Sequence, residues 1–267
     1  MEEQAEDAAI TAAEAYEALH VPALFGQWPE AMLDAAAVAV GQRVLDVACG
    51  TGVLARAAAS RVTPGGSVVG VDLDAGMLAV AARLAPKVAW RRANASTLPF
   101  PERCFDAVLS QFGLMFFVER PAAIAEMLRV LKPGGRIAVA VWGALEDNGA
   151  YSVAVELLDR LAGRAAADAL RAPFALGRPG PLRDLFEAAG VAGTEVVMRP
   201  GTARFPSVRV LMEAELRGWL PLLGVRLDEA VIDRILGEAE SALAAYAGAD
   251  GAVVFPLQAL VVSGGRP

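Results

Sequence analysis

"RVLDVACGTG", residues 43–52, is an apolar run interrupted by one acid, Asp46, and closed by Gly50, Thr51 and Gly52. Val44, Leu45 and Val47 suit a strand covered on both faces, and glycines directly behind such a strand suit a tight turn into a helix. Outward from it, strands are expected at 67–73 ("SVVGVDL"), 88–92, 105–110 ("FDAVLS") and 136–142 ("RIAVAVW"). Helices are expected between them at 51–61, 74–84 and 121–131, the last opened by Pro121 and stopped by Pro133, Gly134 and Gly135. Strand and helix in alternation predict a parallel, doubly wound α/β sheet.

Helical segments frame this core. Residues 2–19 read as a polar, Ala-rich helix, and Pro29 opens a second one over "EAMLDAAAVAV". After Trp142 the rhythm changes: "PLRDLFEAAG" (181–190) reads as a short helix, then "TEVVMRPGTARF" (194–205) and "GAVVFPLQALVV" (251–262) as two long strands. The mostly helical stretch between them, 207–247, is an insertion, in which Ile232, Ile235, Leu236, Ala239 and Leu243 share one helix face.

Composition limits what the chain can do. With 267 residues, 55% of them hydrophobic, it can bury a sizeable core as one elaborated domain. A net charge of -7 without a basic stripe argues against nucleic acid, because phosphate neutralisation needs clustered Lys and Arg. No apolar run approaches the ~20 residues of a membrane span, and the acidic opening is unlike a targeting peptide, so a cytoplasmic protein is expected. Cys49 and Cys104 are too few for a metal cluster or a disulfide framework and read as structural thiols. A homodimer is left open.

Ligands of a doubly wound sheet bind outside the carboxyl ends of its strands, and the first strand-to-helix turn is where backbone meets ligand. Gly50 and Gly52 stand at that turn, and the second strand ends in Asp72, twenty residues after Gly52, where an acid accepts from both hydroxyls of a ribose. "GTGVLA" also satisfies the dinucleotide fingerprint. A pyrophosphate, however, wants amides and no nearby negative charge, whereas Asp46 suits a cationic ligand such as S-adenosylmethionine (SAM), with its ammonium and sulfonium. Asp46 could equally brace the glycine loop by accepting backbone amides. Asp74 reads as the N-cap of the helix beginning at Ala75.

"VLDVACGTG", "VVGVDLDAGML", "LPFPERCFDAVLSQFGLMFF" and "MLRVLKPGGRIAVAVW" follow one another in an order and spacing that resemble the class I SAM-dependent methyltransferases, in their type 11 or UbiE-like branch. The resemblance is dense over 43–142 and loose elsewhere. It implies a Rossmann-like seven-stranded sheet with the last strand antiparallel, and SAM as cofactor with S-adenosylhomocysteine (SAH) as product. Carried over residue by residue, Asp46, Ala48, Cys49 and Gly50 would hold the methionine part and Asp72, with Leu73 and Met77, the ribose side. Asn94 and Ala95 would hold the adenine, Gln111 would stand where methionine and acceptor meet, and Tyr16 would reach in from the N-terminal cap. One domain over 1–267 is implied, with a helical cap at 1–32, the SAM-binding core at 43–142 and a lid at 207–247.

The departures bear on the substrate. Asn94 stands where the family usually has Asp, although an amide oxygen also accepts from an adenine amino group. "YEALHVPALFGQW" does not resemble the N-terminal signature of quinone C-methyltransferases, so a quinone is not licensed. "SQFG" (110–113) replaces the motif of DNA amino-methyltransferases, no carboxylate in 110–118 offers a metal ligand, and two cysteines are too few for arsenic chemistry. There remains in-line methyl transfer to a small hydrophobic or aromatic metabolite, helped chiefly by alignment and exclusion of water. His20, the single histidine, is a candidate base one helical turn from Tyr16, with Phe25 and Trp28 nearby in sequence. Leu211, Met212, Leu216, Trp219 and Leu220 offer an apolar lining in the lid or simply fill a core. A non-catalytic SAM-binding protein and a nicotinamide-dependent oxidoreductase are the competing readings.

Overall fold

In the computed structural model, which describes the backbone of residues 2–267 and the side chains from Asp7 onward, Val44 to Val47 are all buried because their strand lies inside a sheet. Strand β1 (Arg43–Val47) is flanked in parallel by β2 (Ser67–Asp72) and β4 (Phe105–Gln111), with Val44 opposite Val68 on one side and Ala107 on the other. With β3 (Ala89–Arg92), β5 (Leu131–Trp142), β6 (Ala192–Phe205) and β7 (Val253–Gly265), the sheet has seven strands in the order β3-β2-β1-β4-β5-β7-β6. Strand β7 runs against β5: Gly134 N–H donates to Arg266 O and Arg266 N–H to Gly135 O at one end, and Gly143 N–H to Gln258 O at the other. The expected α/β sheet with its last strand antiparallel is the one found.

Strand order reverses between β1 and β4, so the carboxyl ends of these two strands bound the crevice where such sheets place ligands. Helices α3 (Val53–Val62), α4 (Ala75–Leu84) and α5 (Arg120–Val130) join the parallel strands. Asp74 caps α4 by accepting from Met77 N–H at 2.9 Å. Helix α1 (Glu2–Ala15) lies against α4, where a Cβ on Gly76 would stand 2.5 Å from the Ala9 carbonyl oxygen, and Arg83 pairs with Glu14 at 2.6 Å.

Two N-terminal boundaries differ from expectation. The first helix gives way at Tyr16 to a π-helical segment, Tyr16–Phe25, that contains Pro22. Helix α2 (Pro29–Ala35) stops short of the predicted 40. There Ala37 N–H donates to Asp34 O and Val38 N–H to Leu33 O, a Schellman closure. The left-handed position of that closure is filled by Ala37 (φ 49°) where glycine is usual, so the sequence carried no stop signal.

By packing, the chain divides into two compact units: Met1–Val141 with Arg178–Arg199 and Leu260–Pro267, and Trp142–Gly177 with Pro200–Ala259. The first holds the sheet core and helix α8 (Pro179–Ala188). The second joins the stretch read as an insertion to two helices the sequence reading left unassigned, α6 (Gly149–Ala162) and α7 (Arg164–Arg171). Within it, α10 (Glu229–Ala242) packs on α6 and on α9 (Val208–Glu213), with Ile232, Ile235, Leu236, Ala239 and Leu243 buried as their spacing predicts. Leu211, Met212, Leu216 and Leu220 are buried too, and Trp219 donates from Nε1 to the Ala169 carbonyl at 3.3 Å. Among the described residues, no helix is long and apolar enough to cross a membrane.

Candidate functional site

The turn from β1 into α3 is wound by three left-handed residues, Ala48 (φ 57°), Gly50 (φ 53°) and Gly52 (φ 86°). The glycines serve different ends. A Cβ on Gly52 would lie 2.4 Å from the Trp90 indole, so that glycine admits a neighbour from β3. A Cβ on Gly50 would meet nothing within 4 Å, which leaves backbone open to a ligand. Cys49 N–H donates to Val71 O at 3.0 Å and ties the turn to β2. Asp72, at the end of β2, takes Gly50 N–H on Oδ2 at 2.8 Å and Asp74 N–H on Oδ1 at 3.0 Å. A carboxylate has about four lone-pair sites, so these bonds leave capacity for two hydroxyls.

Seven buried polar atoms without a hydrogen-bond partner among the described residues belong to β1 and this turn, the end of β4 and the segment Tyr16–Phe25: both oxygens of Asp46, Thr51 Oγ1, Ser110 Oγ, Gln111 Oε1, His20 Nδ1 and Glu17 Oε2; an eighth, Gln258 Oε1, lies elsewhere, on β7. Such atoms are rare in a finished interior because each costs about 1–3 kcal/mol. Asp46 is 1% exposed, and burial pushes its carboxyl up to about 8; the Ala55 amide pulls the other way without closing a hydrogen bond, and the Asp72 charge adds to the rise. Burial also raises Asp72, and it raises the Cys49 thiol together with the charges of Asp46 and Asp72. A cation at this turn would lower all three.

Residues 16–28 bring aromatic rings to the end of β4. Tyr16 stacks on His20 and on Phe25, each at 5.4 Å between centroids, and Phe25 and Trp28 contact Phe112 at 5.5 and 5.8 Å. Gln111 Nε2 donates to the Phe25 carbonyl at 3.2 Å, which binds the strand end to the segment's last residue. Burial lowers His20 to about 4, so it is neutral near pH 7. The Tyr16 phenol is raised by burial and then by the charges of Asp72 and Glu17, which places it under the influence of both acids.

On the other side of Asp72, Leu73 is 57% exposed, while Met77 belongs to the first turn of α4. Asn94 is exposed and takes Ser96 N–H on Oδ1 at 2.9 Å, and Ala95 is buried. Sequence reasoning passed over Glu17, Arg56, Thr51, Ser110, Phe112 and Trp90. Arg56 is one charge in the helix expected at 51–61, with no local signal of its partner, and nothing in "SQFG" announces that Phe112 adopts φ 58°. Thr51 lay inside the quoted turn and was legible.

The donor set fits a cationic nucleoside: unmet acceptors at Asp46, Gln111 and Glu17, open backbone at Gly50, and a braced carboxylate at Asp72. Residues 44–135 match the family model described as a methyltransferase domain. The chain is 44% identical over 114 residues to a demethylmenaquinone methyltransferase of Renibacterium salmoninarum, covering 43% of this chain and 47% of that one. It is 43% identical over 127 residues to the ubiquinone/menaquinone biosynthesis C-methyltransferase UbiE of Pseudomonas aeruginosa strain PAO1, covering 45% and 50%. The match thus spans about half the length of these curated relatives. In fold, the chain is similar to the YcgJ protein of Bacillus subtilis, with TM-score 0.59 and 21% identity over 89% of this chain and 97% of that one. Sequence motifs, strand order and site chemistry converge: residues 44–135 are a methyltransferase domain, similar to the class I SAM-dependent methyltransferases in their UbiE-like branch.

Proposed function

We propose that this chain transfers the methyl group of SAM to a small hydrophobic or aromatic organic acceptor. The observation that carries the reading is the concentration of unpartnered buried polar atoms around Gly50, beside a ring set formed by Tyr16, His20, Phe25 and Phe112. SAM, when bound, supplies an electrophilic methyl on a sulfonium and leaves as a neutral thioether. Asp72 binds the ribose, Asn94 with Ala95 borders the adenine, and Leu73 and Met77 flank the nucleoside. Ala48, Cys49 and Gly50 present backbone to the methionine part, and Asp46 behind them ionises as the bound cation lowers its raised carboxyl. Gln111 orients the acceptor through Oε1, because its amide nitrogen is held by the Phe25 carbonyl.

The residues 16–28 form the acceptor wall, since flat rings with few charges favour an aromatic or apolar partner. Neutral His20 accepts a hydrogen bond from an acceptor hydroxyl through its open Nδ1. Its low pKa makes it a weak proton store, so orientation is its first role and proton acceptance its second. For the stretch 207–247, the burial of Leu211, Met212, Leu216 and Leu220 within packed helices supports core filling rather than an open lining.

A quinone-type ring is the second reading, favoured by the names of the curated relatives and by the aromatic wall. The test is to incubate the protein with methyl-labelled SAM and a panel of phenols, hydroquinones and small carboxylic acids, following label and SAH. Label on the apolar aromatic compounds supports the reading. SAM binding without SAH formation from any acceptor replaces it with a non-catalytic SAM-binding protein.

A further inference from the structure

Glu17 stands in the π-helical segment and Arg56 in the second turn of α3, 39 residues apart in sequence. Arg56 donates from one terminal nitrogen to Glu17 Oε1 at 2.7 Å and from the other to the Thr51 carbonyl at 2.6 Å, so the pair rests on the cofactor turn itself. Their side chains are 26% and 22% exposed, which is too sheltered for a solvated surface pair and too open for a core one. Glu17 Oε2 is buried without a partner among the described residues. Glu17 directly follows Tyr16, whose ring stacks on His20 and on Phe25 at the end of β4. Independently, Thr51 and Ser110 are 1% and 0% exposed and keep unpartnered hydroxyls beside this turn, which also points to a missing polar ligand.

An α-amino acid end carries one ammonium and one carboxylate on neighbouring atoms. A carboxylate beside a guanidinium is its complement: the free oxygen accepts from the ammonium, and the guanidinium, with five N–H donors in a planar fork, receives the carboxylate. We propose that the Glu17–Arg56 pair is the receptor for the amino-acid end of the cofactor, taking its ammonium on Glu17 Oε2 and its carboxylate on Arg56. This deepens the SAM reading above and rests on it. The pair also joins the segment carrying Tyr16, His20 and Phe25 to the cofactor turn, so binding of the amino-acid end fixes the acceptor wall in place.

The test separates recognition from mere bracing. SAH and 5′-methylthioadenosine share the nucleoside and the thioether, and only SAH has the amino-acid end. Calorimetric titration of both is done on the wild-type chain, Glu17→Gln and Arg56→Gln, with thermal unfolding as the check on folding. The expected result is that each substitution lowers SAH affinity by about ten-fold or more, the size of a lost charged hydrogen bond. Affinity for 5′-methylthioadenosine should stay within about two-fold. Equal losses for both ligands mean a brace and overturn the proposal, as does no loss for either. Should the wild-type chain bind neither ligand, the SAM reading falls first and this proposal with it.

Discussion

Asp46 in strand β1 and Glu215 in the helical unit are 1% and 5% exposed, and burial raises their carboxyls to about 8 and about 7. Glu215 has a partner within its own unit, the Tyr151 hydroxyl, which donates to Oε1 at 3.0 Å inside an aromatic setting of Phe174 and Phe255. Asp46 has none among the described residues, and its orphaned neighbours Thr51 and Ser110 share that state. The two buried acids thus differ in one respect: Glu215 has a hydrogen-bond partner and Asp46 has none among the described residues. A buried acid marks a binding site when its surroundings are unmet, and a packed interior when they are met.

The largest effect that could break this comparison is expected at Asp72. Replacing it with Ala removes the acceptor of the Gly50 and Asp74 amides, and, under the ribose role proposed for it, SAM affinity should fall by about 2–4 kcal/mol in calorimetry. The fold should survive in circular dichroism, and an unchanged affinity would refute the role. Next comes the other side. Glu215→Ala leaves the Tyr151 hydroxyl unpaired in a cavity and should cost about 2–3 kcal/mol in urea unfolding. SAM affinity of the folded fraction should hardly move; an affinity loss as large as that of the Asp72 variant would erase the distinction between the units.

Asp46 offers a sharper, pH-dependent test. Its folded pKa, about 8, lies above the unfolded value of about 3.8, so the folded state holds the extra proton between those limits. Stability is therefore unaffected below about pH 4, falls as pH rises from there towards 8, and levels off above it. Asp46→Asn should flatten that slope and gain about 1–3 kcal/mol at pH 8, since a buried amide still lacks partners. The same variant should bind SAM more weakly and lose the tightening that the wild type shows as pH climbs to about 8. A wild-type unfolding curve without that slope contradicts the assignment.

The smallest contrast lies within one turn. Gly52→Ala forces a methyl against Trp90 and should lower stability by about 1–2 kcal/mol. Gly50→Ala, at φ 53° with open space, should cost stability about 1 kcal/mol and act mainly on SAM affinity. Reversed outcomes would exchange the roles assigned to the two glycines.

Much of the core was legible because its signals are local. Apolar runs ending in Gly50 and Asp72 fix strand, turn and ligand side at once, and Asp74 announced its cap. What escaped depends on distant partners or on backbone forms without a residue code. Ala37 and Phe112 take left-handed φ values that their side chains do not advertise, and Gly52 is explained by Trp90, 38 positions on. The pairing of Glu17 with Arg56 and of Tyr151 with Glu215 joins residues 39 and 64 positions apart. No periodicity links such positions, so Asp46 and Asp72 could be named from sequence, Glu17 and Glu215 could not, and none of the four could be sorted into met and unmet.

The central claim is that the Gly50 turn is built for a cationic nucleoside, and the most direct measurement is calorimetric titration of the purified chain with SAM and, in parallel, with NADH at pH 8. One SAM bound per chain, with no heat from NADH, is the predicted result. Saturable NADH binding with no heat from SAM would contradict it.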